Sequence, residues 1–144
     1  MKIKSILSKK GGEVITIGPQ ATIHEAIVMM AEHNIGALIV TNALGELTGI
    51  LSERDIVRKA ADYRDITALE VQQVMTKEVL KGEPEDDILA VAHIMTERRF
   101  RHLPVRSEGR LIGIVSIGDI LKAQRDEYLG AKDTLESQIM AWDD

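Results

Sequence analysis

At 144 residues, with 44% hydrophobic and 28% charged side chains, the chain has the composition of a compact globular domain and not of a disordered one. Its net charge of −5 argues against broad wrapping of DNA or RNA, which needs a basic surface to displace counterions, and leaves room only for a local basic patch. The lack of cysteine excludes a disulfide framework, a thiolate nucleophile and a Cys-rich zinc site, and the cytoplasm is the expected compartment.

In chain order, the opening MKIKSILSKKGG lacks the apolar core and small-residue cleavage site of a signal peptide, and reads as mature protein. No later apolar run approaches the roughly 20 residues of a membrane span, so no membrane partner is expected. After Pro19, Ile23, Ala26, Ile27, Met30 and Ala31 follow the i, i+3, i+4, i+7 spacing of an amphipathic helix. GALIVT and TGILS, separated by the polar turn NALGEL, form a predicted β-hairpin. A second helical face starts after Ser52 with Ile56 and Val57.

The same succession then returns. After Pro84 come helical positions Ile88, Val91, Ala92 and Met95, the strand-length runs HLPVR and IGIVS around SEGRL, and a new helix after Ser116. Residue by residue, Pro19 aligns with Pro84, Leu38 with Leu103, Gly49 with Gly113, Ser52 with Ser116 and Asp55 with Asp119. Allowing three extra residues in SKKGGEV, Ile3, Ile6, Leu7 and Ser8 align with Val71, Val74, Met75 and Thr76.

Each copy therefore reads β-α-β-β-α, an α/β (α+β) unit too small to cover both faces of its own sheet, so the two copies are expected to cover each other. Residues 1–66 form the first repeat, 67–124 the second, and 125–144 a C-terminal amphipathic helix carrying Leu129, Leu135, Ile139, Met140 and Trp142. Pro104 interrupts a strand-like run and points to a position where a missing N–H does no harm.

The repeated phrase is GILSERDIVRK and GIVSIGDILKA. Ser followed three residues later by a carboxylate resembles a helix capping box, and the local pattern by itself favours that reading. Two features point elsewhere: capping boxes prefer the longer Glu or Gln where both copies use Asp, and a helix N-terminus reached by a glycine-containing strand is a ready phosphate site. An Asp one turn into such a helix can accept from the hydroxyls of a ribose.

Arg54 and Arg58 lie four apart and repel unless an anion sits between them, so they are either a solvated face, with Arg58 near Asp55 or Asp62, or a phosphate clamp. The second copy has Gly118 and Lys122 there, which predicts two unequal sites. In TERRFRHLPV, Arg98 and Arg99 read as cations at a helix C-terminus. His24, His33 and His93 lack metal-ligand spacing and no metal is expected. No nucleophile elbow, Walker A loop or dinucleotide fingerprint is present, which argues against an enzyme.

With its G-hydrophobic-hydrophobic-S-x-x-D endings, the doubled unit resembles a tandem pair of cystathionine β-synthase (CBS) domains, of the free-standing bacterial type, over roughly residues 1–124. That resemblance implies two repeats packed through their sheets as one pseudo-two-fold module, commonly dimerised into a disc. It also implies clefts between repeats that bind AMP, ADP, ATP, S-adenosylmethionine or NAD(H).

By position in the family, Asp55 and Asp119 hold ribose, with Ser52 and Ser116 near ribose and phosphate. Arg101, His102, Leu103 and Pro104 face the cleft, where Gly36 and Ala37 leave room in the first copy. Ser8, Lys10, Thr76, Lys77 and Val79 border the nucleotide. The function so implied is an energy- or redox-sensing regulatory module acting on an unidentified protein; the alternative is a ligand-free dimerisation scaffold in which S-x-x-D only caps. Nucleic-acid binding through Arg98 to His102 is a third reading, disfavoured by one Trp, one Phe and two Tyr as stacking platforms.

Overall fold

A computed structural model describes residues 1–11 and 13–143, with side chains described up to 133 and at 135. The chain is a mixed α+β protein, with six α-helices and two small sheets among the described residues. Helix α1 (Ile3–Lys10) precedes β1 (Thr16–Ile17), α2 (Ile23–His33), β2 (Ala37–Thr41), β3 (Leu47–Ser52) and α3 (Glu53–Ala60). A 3₁₀ turn then leads to the short α4 (Val71–Val74), followed by α5 (Ile88–Arg98), β4 (His102–Ser107), β5 (Arg110–Ser116) and α6 (Ile117–Asp143).

Both hairpins form as their turns predict. Asn42 closes the first by accepting, through its side-chain oxygen, the N–H groups of Leu44 and Glu46, both at 3.0 Å. The second turns through Glu108 and Gly109, both at positive φ, a backbone that twists with the strands it joins. In each hairpin the register shifts at the same place, between Val40 and Thr41 and between Val105 and Arg106.

The copies differ in their first strand. β1 pairs parallel with β2, Ile17 against Val40, whereas its counterpart shrinks to a single bridge between Gly82 and Val105. Ile17 anchors β1 in the core, but Gly82 has no side chain to bury, and the Leu103 side chain occupies the space where a Cβ would stand. Pro104 needs no N–H here: its carbonyl accepts from Gly82, and the return bond to Gly82 comes from the Arg106 N–H.

The cores do not follow the sequence repeat. Val71 and Val74 of α4 pack with Ile23, Leu38 and Leu51 of the first copy. Ile3 and Ile6 of α1 pack with Ile88, Leu103 and Val115 of the second. Backbone bonds fix both exchanges: Val71 and Gln72 donate to Ala21 and Pro19, while Ile3 and Lys4 donate to the equivalent Asp86 and Pro84. Each repeat's opening helix thus completes the other repeat's core.

This exchange explains the repeated glycine. A Cβ on Gly49 would stand 2.8 Å from the Thr76 carbonyl oxygen, and one on Gly113 would stand 2.6 Å from Leu7 Cδ2. Leu7 and Met75 are equivalent in the repeat, so the incoming segment lies on the motif glycine in both copies.

The boundary expected at residue 124 falls inside α6, which continues the second copy's last helix without a break. Its first turns pack on α5, β5 and α1, while Tyr128, Leu129 and Leu135 are exposed. The side chains of Ile139, Met140 and Trp142 lie outside the described residues.

Candidate functional site

Ser52 ends β3 in extended conformation and caps α3, where Asp55 occupies the third helical position. The Asp55 N–H donates to Ser52 Oγ at 3.2 Å, while the Ser52 N–H and hydroxyl donate to Asp55 Oδ2 at 2.9 and 3.1 Å. The capping box is complete. The local pattern favours this cap, and although capping boxes prefer the longer Glu or Gln, the close turn from β3 into α3 brings the backbone to the shorter Asp55 carboxylate.

Capping does not exhaust the carboxylate, which has about four acceptor sites on two oxygens. Oδ1 accepts the Thr76 hydroxyl at 3.0 Å and lies at the edge of a cleft of about 740 Å³, a volume typical of small-molecule sites. First-copy residues Gly36, Ile50, Ser52, Arg54, Asp55 and Arg58 line one side. Thr76, Val79 and the run Arg98 to His102 line the other, so the cleft lies between the copies.

Nine sequence-predicted site residues therefore meet in one place: Gly36, Ser52, Arg54, Asp55, Arg58, Thr76, Val79, Arg101 and His102. The others lie elsewhere. Ala37, Leu103 and Pro104 are buried in the hairpins, Lys77 lines a separate hollow with Glu70 and Gln72, and Ser8 is exposed. Lys10, Ser116 and Asp119 form their own group at the second motif.

Arg98 and Arg99, read from sequence as helix-end cations, both line the cleft, as do Glu53, Glu78, Leu80 and Phe100. The usable signal was the repeat: Arg99 aligns with Asn34, and both end their helices in left-handed backbone, φ 57° and 52°. That conformation costs a residue such as arginine about 1–2 kcal/mol.

Five arginines face three carboxylates in the cleft, which suits an anion. Arg54 Nη1 donates to the Arg99 carbonyl at 3.3 Å, a bond that crosses from one copy to the other. Among the described residues Arg58 forms no ion pair with Asp55 or Asp62; it is exposed and lines the cleft.

His102 sits between the two motifs. Burial, aided by the nearby Lys10 ammonium and Arg101, holds its pKa below the ordinary value and outweighs Asp119 and Glu53, which act in the opposite sense. The imidazole is neutral at pH 7. Its folded pKa is depressed, so the stability tied to it is fully present above the unfolded value of about 6.5 and is lost as pH falls through the folded pKa. A His102→Gln chain should lack that component; urea melts between pH 7.5 and 5 that fall equally in both proteins would refute it.

At the second motif the Ser116 N–H donates to Asp119 Oδ2 and the Asp119 N–H to Ser116 Oγ, at 2.9 and 3.0 Å. Burial is the largest influence on the Asp119 carboxyl and pushes its pKa up. Lys10 and Ser116 together outweigh it and hold the group below its ordinary value.

The sequence pattern of the CBS domain matches residues 3–62 and again 71–126. The chain belongs to the CBS domain family. An uncharacterized 17.7 kDa protein of Acidianus ambivalens is 44% identical over 129 residues, spanning 88% of this chain and 75% of the relative. The CBS-domain protein ATU1752 of Agrobacterium tumefaciens superposes with a TM-score of 0.84 at 41% identity, over 85% of this CBS chain and 92% of that one. The CBS domain pair of protein MJ0100, solved with 5′-methylthioadenosine and S-adenosyl-L-methionine, superposes with a TM-score of 0.77 at 27% identity, over 88% and 98%. Among the described residues, no helix of this CBS pair is long and apolar enough to cross a membrane, and no cluster of His, Asp or Glu could hold a metal.

Proposed function

We propose that this CBS pair is a non-catalytic regulatory module that binds an adenosine-containing ligand, AMP, ADP, ATP or NAD(H), in the cleft at Asp55. The observation that carries the reading is the Asp55 carboxylate. Capping fixes one oxygen and aims the other at a cleft of nucleotide size, rich in arginine. A ribose hydroxyl replaces the Thr76 hydroxyl on Oδ1, and phosphate sits among Arg54, Arg58 and the Arg98 to Arg101 run. The adenosine compounds bound by MJ0100 support the same ligand class.

A ligand touching both sides of the cleft favours one packing of the copies over another, and the Arg54–Arg99 bond is the element it would reset. Through that change the bound state reaches a regulated protein in the cytoplasm. The apolar groove between α2 and α3, lined by Ile27, Met30, Ile35 and Val57, supports a homodimer.

Thermal unfolding with AMP, ADP, ATP and NAD tests the reading. A ligand at about 100 times its Kd adds about 2.7 kcal/mol of stability. Asp55→Asn keeps the cap's size but loses the charge, and should weaken binding about 10- to 100-fold, the worth of a hydrogen bond to a charged group. No shift with any of these compounds at millimolar concentration would exclude the proposal.

The complete capping boxes in both copies favour a second reading, a scaffold in which the motif only starts a helix. On that reading Asp55→Asn changes stability slightly and nothing binds.

A further inference from the structure

We propose that Lys10 is a built-in occupant of the second S-x-x-D motif, so that each chain takes one adenosine ligand, at Asp55, and leaves Asp119 closed. This rests on the adenosine reading of the Asp55 cleft and goes beyond it in assigning stoichiometry and the residue that sets it.

The two motifs differ in the group that stands against the aspartate carboxylate. Asp55 Oδ1 accepts a neutral hydroxyl, that of Thr76, at 3.0 Å. Asp119 Oδ2, which also accepts the Ser116 N–H, accepts the Lys10 ammonium at 2.7 Å, and the same ammonium donates to the Ile114 carbonyl at 2.8 Å. Charge-assisted bonds are about twice as strong as neutral ones. A ribose hydroxyl replaces Thr76 like for like, but at Asp119 a ribose that uses both carboxylate oxygens meets a cation already bound to one of them, and displacing it strands the ammonium. The lysine also pays none of the translational entropy that a free ligand loses on binding. The pair is half-buried, side-chain exposure being 35% for Lys10 and 24% for Asp119, so solvent screens it less than a surface pair.

The asymmetry has a cause in the chain. Helix α4 stops at Val74, and Thr76 then pairs through its backbone with Ile50, in bonds of 2.8 and 3.0 Å. Its counterpart α1, followed by the three additional residues, runs on to Lys10. The longer helix offers a side chain instead of a backbone edge, and the ammonium reaches the carbonyl of Ile114, the residue equivalent to Ile50. Anchored in the second core by Ile3 and Ile6, α1 holds the lysine there. At the first motif the residue equivalent to Lys10 is Glu78, which shares the charge of Asp55 and cannot close it.

Calorimetric titration of the full chain with AMP tests this, with Lys10→Met and Lys10→Gln as variants. Their thermal unfolding is recorded alongside, and the pair guards against one of them failing to fold. Wild type should bind one AMP per chain and both variants two, the added site vanishing again in Lys10→Met/Asp119→Asn. Two sites in wild type, or one site in the folded variants, overturns the role of Lys10 while leaving the Asp55 site intact. The same titrations are run with ADP, ATP and NAD, and absence of binding of all four compounds by all of the proteins overturns the adenosine reading itself.

Discussion

Ile3→Ala should lower the unfolding free energy by about 2–5 kcal/mol, the cost of truncating a fully buried aliphatic side chain. A residue two positions from the start of the chain would ordinarily fray and tolerate such a change. Here Ile3 is 0% exposed, packed against the second copy's helix and strands. Its N–H is bonded to the Asp86 carbonyl at 2.9 Å. Removing three carbons leaves a cavity that the hairpin of β4 and β5 cannot close without breaking its own register. Urea unfolding should show a lower midpoint with an unchanged slope, since the surface exposed on unfolding is nearly the same. A loss under about 0.5 kcal/mol, the range of ordinary surface substitutions, would mean that α1 is not part of the second core.

Gly49→Ala should cost about 1–3 kcal/mol, the range for overpacking, and Gly113→Ala distinctly less, although the two positions are equivalent in sequence. The new methyl at 49 meets the Thr76 carbonyl oxygen, which is backbone held by the bridge to Ile50. The methyl at 113 meets the end of the Leu7 side chain, which can turn away. Displacing Thr76 also moves the hydroxyl that meets Asp55, so Gly49→Ala should weaken ligand binding where Gly113→Ala does not. Parallel urea melts and AMP titrations of the two variants decide this, and equal losses in both would refute the distinction.

Local pattern made several elements legible. The spacing of Ile23, Ala26 and Met30 marks one helical face because 3.6 residues per turn bring those positions together, and all three are buried. Both hairpins follow from apolar runs broken by turns of Asn, Ser and Gly. The second copy's first strand was less legible, because Gly82 replaces the apolar anchor that Ile17 supplies and leaves one bridge in place of a strand. Arg98 and Arg99 look like helix-end charges until the left-handed turn at Arg99 and the opposing α3 place them beside Arg54.

By itself, the sequence determined the doubling of the fold, its two hairpins with the helices α2, α3, α5 and the start of α6, and the paired S-x-x-D motifs, because each is written in spacings of a few residues; the opening helices α1 and α4 were not read from it. Only the tertiary structure decided which copy each opening helix completes, which residues share a cleft, and which motif is paired with a lysine. Periodicity says that a face must be buried and is silent about its partner. The Lys10 ammonium and the Asp119 carboxylate lie 109 positions apart, and α1 brings them together because Ile3 and Ile6 find their apolar surroundings in the other repeat.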